Sequence, residues 1–203
     1  MKNIILYTLT LLFTSISLSS CVSMQSPKQN IKFPISDPWK FRRADTEEWL
    51  PATVPGTVHT DLLALDSIDD PYYRLNEKKQ QWIDKQDWEY QCEFSITDEL
   101  LDKREIFLKF YGLDTYAQVK LNGQDILSAD NMFRTWVIPV KSHLRPGVNI
   151  LNIRFASPTR VGLEALAKHG YGLPASNDQS ENGELGDQKV SVFTRKAGYH
   201  YGW

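Results

Sequence analysis

The stretch that decides the fold is Trp88-Glu-Tyr-Gln-Cys-Glu-Phe-Ser-Ile96. Trp88, Tyr90, Cys92, Phe94 and Ile96 fall on one face and polar residues on the other. This two-residue period is the signature of a half-buried β-strand. Cys92 sits in the apolar row, so it reads as a buried structural thiol rather than a nucleophile.

Working outward, the same signal recurs. Glu105–Tyr111 alternates Ile106, Leu108 and Phe110, and Tyr116–Leu121 runs into Asn122-Gly123 and then Gln124–Leu127. Asn-Gly between apolar runs is a strong hairpin signal, because both residues accept positive φ. Met132–Val140 and Val148–Ala156 complete the set, the second after the turn Arg145-Pro146-Gly147. Short strands at close spacing predict a mainly β fold, a β-sandwich, with one or two short helices. Val58–Leu65 and Pro158–Lys168 are the helical candidates. The latter is framed by Pro158 near its start and Gly170 past its end. Gly162 weakens that second helix. Ala175–Lys189 is polar and rich in Gly, Asn, Ser and Asp, so it reads as a long loop, either mobile or functional.

The 203 residues are 41% hydrophobic and 24% charged, which is globular composition for one domain. A (β/α)8 barrel alone takes about 250 residues, so this length leaves no room for one. Lys and Arg total 23 against 25 Asp and Glu, and the signs are mixed along the chain. No basic excess marks a nucleic-acid partner.

The N-terminus is compositionally separate. Lys2 is the only charge before an apolar run from Ile4 to Leu18, and Leu18-Ser19-Ser20-Cys21 follows. A basic start, a short apolar core and small residues predict a secretory signal over residues 1–20. A cysteine in that position resembles the bacterial lipobox, which makes Cys21 the expected lipidation site. A mature membrane span and a signal peptide cut elsewhere are the competing readings of the same run. Residues 21–38 then read as a tether, with polar Met24–Asn30 at its centre. The expected location is exported, anchored by lipid to a bacterial membrane, in the periplasm or at the cell surface. With Cys21 lipidated, Cys92 is the one other cysteine and has no partner for an intrachain disulfide.

Tests for chemistry in the sequence are mostly negative. His59, His143, His169 and His200 have no metal-ligand spacing, and no nucleophile elbow, P-loop or dinucleotide fingerprint is present. No metal or cofactor is expected, although the sequence leaves a structural Ca2+ open. Asn76-Glu77 has the dipeptide form of a glycosidase acid/base, but it sits in charged Arg74–Gln81 and reads as surface. Six Trp and nine Tyr suit sugar stacking and a sandwich core equally. The last stretch, Phe193–Trp203, gathers Arg195, Lys196, Tyr199, His200, Tyr201 and Trp203. Such a loop can present donors and a stacking platform to a sugar, or it can be a packed strand end. The chain stops at Trp203 without terminating logic, so residues 39–203 are expected to form a domain truncated at its C-terminal end.

Several segments together carry a resemblance. They are Val54-Pro-Gly-Thr-Val-His-Thr-Asp-Leu-Leu63, Asp70-Pro-Tyr-Tyr73 with Asn76-Glu77, Asp87-Trp-Glu-Tyr90, Phe110-Tyr-Gly-Leu-Asp114, Val119-Lys-Leu-Asn-Gly123, Asn131-Met-Phe-Arg134 and Arg195-Lys-Ala-Gly-Tyr-His-Tyr-Gly-Trp203. The sequence from about Trp39 onward resembles the N-terminal domain of β-mannosidases of glycoside hydrolase family 2. The resemblance implies a galactose-binding-like jelly roll that precedes immunoglobulin-like and (β/α)8 domains of the same parent chain. It implies retaining hydrolysis of terminal β-D-mannosides by two barrel glutamates, about 5–5.5 Å apart in a retaining enzyme. Neither lies in this chain, so no catalytic residue is expected here and the fragment alone is expected to be inactive. It also implies that the loop ending at Trp203 reaches the sugar pocket, with Trp203 as the substrate-binding residue. The Asp that follows in the family is not in this sequence. Two alternatives stand beside this reading. One is a free-standing carbohydrate-binding lipoprotein without catalysis, and the other is a domain of a related family 2 enzyme with another sugar specificity.

Overall fold

A computed structural model of the chain describes residues 30–175 and 189–197. The chain divides into two units, Met1–Pro34 and Ile35–Trp203. Described residues 30–34 of the first form neither helix nor strand. The second unit holds every element below. The expected signal peptide, Cys21, and most of the expected Ala175–Lys189 loop lie outside the described residues.

In chain order the elements are β1 (Trp39–Arg43), β2 (Leu50–Ala52), α1 (Val58–Ala64), α2 (Asn76–Lys79), β3 (Trp88–Ile96), α3 (Asp98–Leu101), β4 (Phe107–Phe110), β5 (Tyr116–Leu121), β6 (Gln124–Ala129), β7 (Trp136–Pro139), β8 (Gly147–Ala156) and α4 (Pro158–His169). One sheet has six strands in the order β2-β1-β3-β8-β5-β6, and the other pairs β4 with β7. Every pairing between these strands is antiparallel. The β-sandwich and both long helices follow the expectation, and α2 and α3 add one turn each.

β3 is the middle of the construction. Trp88, Tyr90, Cys92, Phe94 and Ile96 are all buried, as the alternation requires. They stand beside Phe41 of β1 and Leu151 and Ile153 of β8, and the core continues through Ala117, Val119 and Leu121 of β5. The register sets Phe41 against Tyr90, Tyr90 against Ile153 and Cys92 against Leu151. Each such fully buried side chain contributes about 1.5–3 kcal/mol of transfer free energy. Burial pushes the Cys92 thiol up to about 11, with Asp37 and Glu93 adding to the shift. At neutral pH it is therefore an inert thiol. The second sheet closes the same core with Leu108 and Phe110 of β4 and Trp136 and Ile138 of β7.

Met132–Val140 was expected to be extended throughout, but the strand begins only at Trp136. The cause is local. Asn131 Oδ1 accepts the Phe133 N–H at 2.9 Å, and this side-chain turn competes with strand pairing. The Asn122-Gly123 hairpin forms as read, with φ of 52° and 83°.

Asn149 occupies a core position in β8 and is fully buried. Its amide is satisfied completely. Oδ1 accepts from the Arg145 N–H (2.9 Å) and Asn122 Nδ2 (2.8 Å). Nδ2 donates to the carbonyls of Arg145 (2.8 Å) and Gly147 (2.9 Å). Asn122 in turn accepts from the Ile150 N–H and donates to the His143 carbonyl. One buried amide thus ties two turns together.

The helix α4 explains the glycine that weakened it. Ser157 caps its start by accepting the Arg160 N–H, and Gly170 ends it at φ 91°. A Cβ on Gly162 would stand 2.6 Å from the Val190 Cβ, so only glycine lets Val190 pack here.

Ion pairs join the outer face of the large sheet to the first turns of α4. Arg42 pairs with Glu89 at 2.7 Å, Arg154 with Asp87 at 3.1 Å, and Arg160 with both Asp87 (2.7 Å) and Glu164 (3.1 Å). Burial alone would raise the Asp87 carboxyl. Hydrogen bonds from Arg160, the Ser157 N–H and Arg154 outweigh that and hold it below its ordinary value of 3.8.

Two predictions follow from this framework. Asn149→Ala strands four polar partners and is expected to cost on the order of 3 kcal/mol. Thermal denaturation should then show Tm lowered by roughly 6–12 °C for a chain of this size. Asp87 has a depressed folded pKa, so its contribution is present above 3.8 and is lost as pH falls through the lower folded value. Asp87→Asn should therefore flatten the acid limb of Tm against pH below about pH 4, while both proteins keep a level plateau above it.

Candidate functional site

The site is the end of the sandwich where three separated segments meet: 113–116, 131–134 and 193–197. Tyr116, the first residue of β5, donates its hydroxyl to the Phe193 carbonyl at 3.0 Å and shares a contact with Thr194 Oγ1 at 3.2 Å. Asn131 and Arg195 form a parallel bridge, and the Met132 N–H donates to the Arg195 carbonyl at 3.0 Å. The Ala197 N–H points at Met132 Sδ, also at 3.0 Å. Lys196 Nζ pairs with Asp114 Oδ2 at 2.5 Å, and Thr115 hydrogen-bonds the other oxygen of the same carboxylate. Thr194 and Ala197 are buried while Arg195 between them is exposed.

His59 lies in the first turn of α1. Partial desolvation lowers the His59 imidazole from its ordinary 6.5, the Asp84 carboxylate opposes this, and Lys196 adds to the lowering. Asp61 of α1 is buried and ties its helix to both neighbours. Its Oδ1 accepts the Thr53 N–H at 2.9 Å and its Oδ2 accepts the Tyr90 hydroxyl at 2.8 Å. Burial and the adjacent Asp61 charge drive the Tyr90 phenol far above its ordinary value of 10. It therefore donates throughout the physiological range. The Thr57 cap and its Thr60 partner close the first turn of α1.

Of the residues singled out from sequence, Trp203, Tyr199, His200, Tyr201 and Cys21 lie outside the described residues. Arg195 and Lys196 come to the platform just described. Asn76 is buried and donates to the Asp70 carbonyl at 2.9 Å, whereas Glu77 is exposed, as its surface reading requires. Among the described residues, no group of three or more His, Cys, Asp or Glu is arranged to hold a metal. Nor is any helix there long and apolar enough to cross a membrane. One shallow depression of about 240 Å3 contains Asp45, Asp87, Arg154 and Arg160. Asp87 there is held ionised by two guanidinium groups, the opposite of a general acid with a raised pKa.

Asp61, Asp114 and Met132 were missed as individual residues, although all three fall inside quoted motifs. Asp114 and Lys196 are 82 positions apart. No local spacing signal connects them, and only their membership in separate motifs marked them at all.

Comparison with known proteins fits this arrangement. The family model described as "Glycosyl hydrolase 2 galactose-binding domain-like" matches residues 39–203. The beta-mannosidase of Capra hircus is 34% identical over 166 residues, 81% of this chain and 18% of that protein. Beta-mannosidase B of Neosartorya fischeri is 38% identical over 177 residues, 85% of this chain and 20% of that protein. The crystal structure of a beta-D-mannosidase from Dictyoglomus thermophilum superposes with TM-score 0.74 at 37% identity, covering 82% of this chain and 19% of that one. An exo-chitosanase from Amycolatopsis orientalis matches at TM-score 0.53 and 18% identity, which speaks for the fold alone. The chain thus spans about a fifth of the length of its β-mannosidase relatives. Its fold, its motifs and these matches agree: the chain belongs to the glycosyl hydrolase 2 galactose-binding domain-like family and corresponds to the N-terminal portion of the family's β-mannosidases.

Proposed function

We propose that this chain is the N-terminal accessory domain of a retaining exo-β-mannosidase that removes terminal β-D-mannose residues. The observation that carries the reading is the likeness to the Dictyoglomus thermophilum beta-D-mannosidase over 82% of this chain, at 37% identity. The domain's part is positional. The segment that enters the sugar pocket leaves the sandwich at the platform of Asp114, Asn131 and Met132, and Trp203 supplies a wall of that pocket. Catalysis belongs to two carboxylates on a barrel of the parent polypeptide, because retention needs a nucleophile and an acid/base about 5–5.5 Å apart. The polypeptide is exported and held on a bacterial membrane through lipid on Cys21, and residues 21–38 space the domain from the surface.

Two measurements test this. The coding frame read past Trp203 should continue into a barrel, and the resulting polypeptide should hydrolyse a chromogenic aryl β-mannoside while the 203-residue chain alone gives no turnover. Turnover by the short chain, or a stop codon directly after Trp203, overturns the accessory-domain reading. For the anchor, Cys21→Ser should move the protein from the membrane to the soluble fraction and abolish labelling by a radioactive fatty acid. Unchanged membrane association would remove the anchor from the proposal.

A further inference from the structure

We propose that Asp114 is a positioning residue for β-mannoside hydrolysis, acting as a register pin for the segment Thr194–Ala197. The inference rests on the function proposed above and deepens it.

Four residues of this segment meet the sandwich, and most of what holds them is indifferent to identity. The Met132 N–H to Arg195 carbonyl bond and the Asn131–Arg195 bridge use backbone only. Thr194 and Ala197 are small buried side chains. A backbone-paired segment of small residues slips easily, and a one-residue slip turns every side chain to the other face. Lys196 breaks that degeneracy. Its side chain is only 16% exposed, and its ammonium ends on Asp114. A slip in one sense would place Ala197 opposite the carboxylate and leave a half-buried charge without its partner, and a slip in the other would put the Lys196 ammonium in the buried place of Ala197; both are costly. Asp114 is itself oriented by the Thr115 hydroxyl. Tyr116, two residues on, holds the Phe193 carbonyl and Thr194. Asp114 in the loop before β5 and Tyr116 at the start of β5 thus hold the segment at two points, and Met132 holds it at a third.

Such a pair contributes little net stability, because desolvation offsets attraction, but it selects one arrangement among several. Lys196→Met keeps the volume and removes the pin. Amide hydrogen exchange is read on the 203-residue chain and its variants. The expected result for Lys196→Met and Asp114→Asn is exchange at least about tenfold faster at the Ala197 and Met132 amides, with β3 and β8 amides unchanged and Tm within roughly 3 °C of the parent. Steady-state kinetics on an aryl β-mannoside are read in the full-length enzyme. There kcat/KM should fall about tenfold or more, since small misplacements of a positioning element carry such penalties. Lys196→Arg, which keeps the charge, should restore kcat/KM to within about threefold.

Unchanged exchange at Ala197 and Met132 overturns the pin, as does unchanged kcat/KM in an active enzyme. A Tm loss that carries β3 and β8 protection with it also overturns it, since the pair would then be structural. If the wild-type polypeptide shows no β-mannosidase turnover, the proposed function falls, and the exchange measurement alone decides the pin.

Discussion

The antiparallel pairing of β3 with β8 is the constraint on which the rest depends. It matches nine consecutive positions, from Trp88 against Phe155 to Ile96 against Gly147. Both strands are interior to the six-stranded sheet, so neither can shift without disturbing its other neighbour. The shared face is buried, and a slip by one residue would bring Glu89, Gln91 and Glu93 into the core. Asn149 adds a polar lock at the end of this pairing. Its amide joins the turn before β8 to the hairpin after β5, which makes the register of the two turns mutually dependent.

From this fixed pairing the candidate site inherits its geometry. β5 lies beside β8, so Tyr116 at its start is set in place by Ala156 opposite it. The Asn131 turn follows β6 on the same sheet, and α4 continues directly from β8. Val190 is seated against Gly162 of that helix, three residues before the chain reaches Tyr116. The segment carrying Arg195 and Lys196 is therefore held by elements that all trace back to one strand pair. A packed scaffold thus underlies a short polar segment.

Electrostatics divides the molecule by role. Ion pairs link Arg42, Glu89 and Arg154 on the outer sheet face, through Asp87, to Arg160 and Glu164 of α4. Asp61 and Asp114 are different. Each is a carboxylate used to hold one piece of chain against another, Asp61 joining Thr53 to Tyr90 and Asp114 receiving Lys196.

The sequence by itself determined the sandwich, because its information is local. The alternation in Trp88–Ile96 and Tyr116–Leu121, the Asn122-Gly123 turn and the Pro158 and Gly170 frame each act within a few residues. The structure reproduces them. It also marked the blocks that place the chain in its family. Only the tertiary structure decided why Gly162 interrupts a good helix and why an asparagine stands at the core position Asn149. It alone brought Asp114 to Lys196 and Asp61 to Tyr90. Those choices depend on contacts between residues far apart in the chain, and no periodicity within a segment carries them. Strand identity follows from which face of a segment avoids water, whereas the site follows from which segments that shared face brings together.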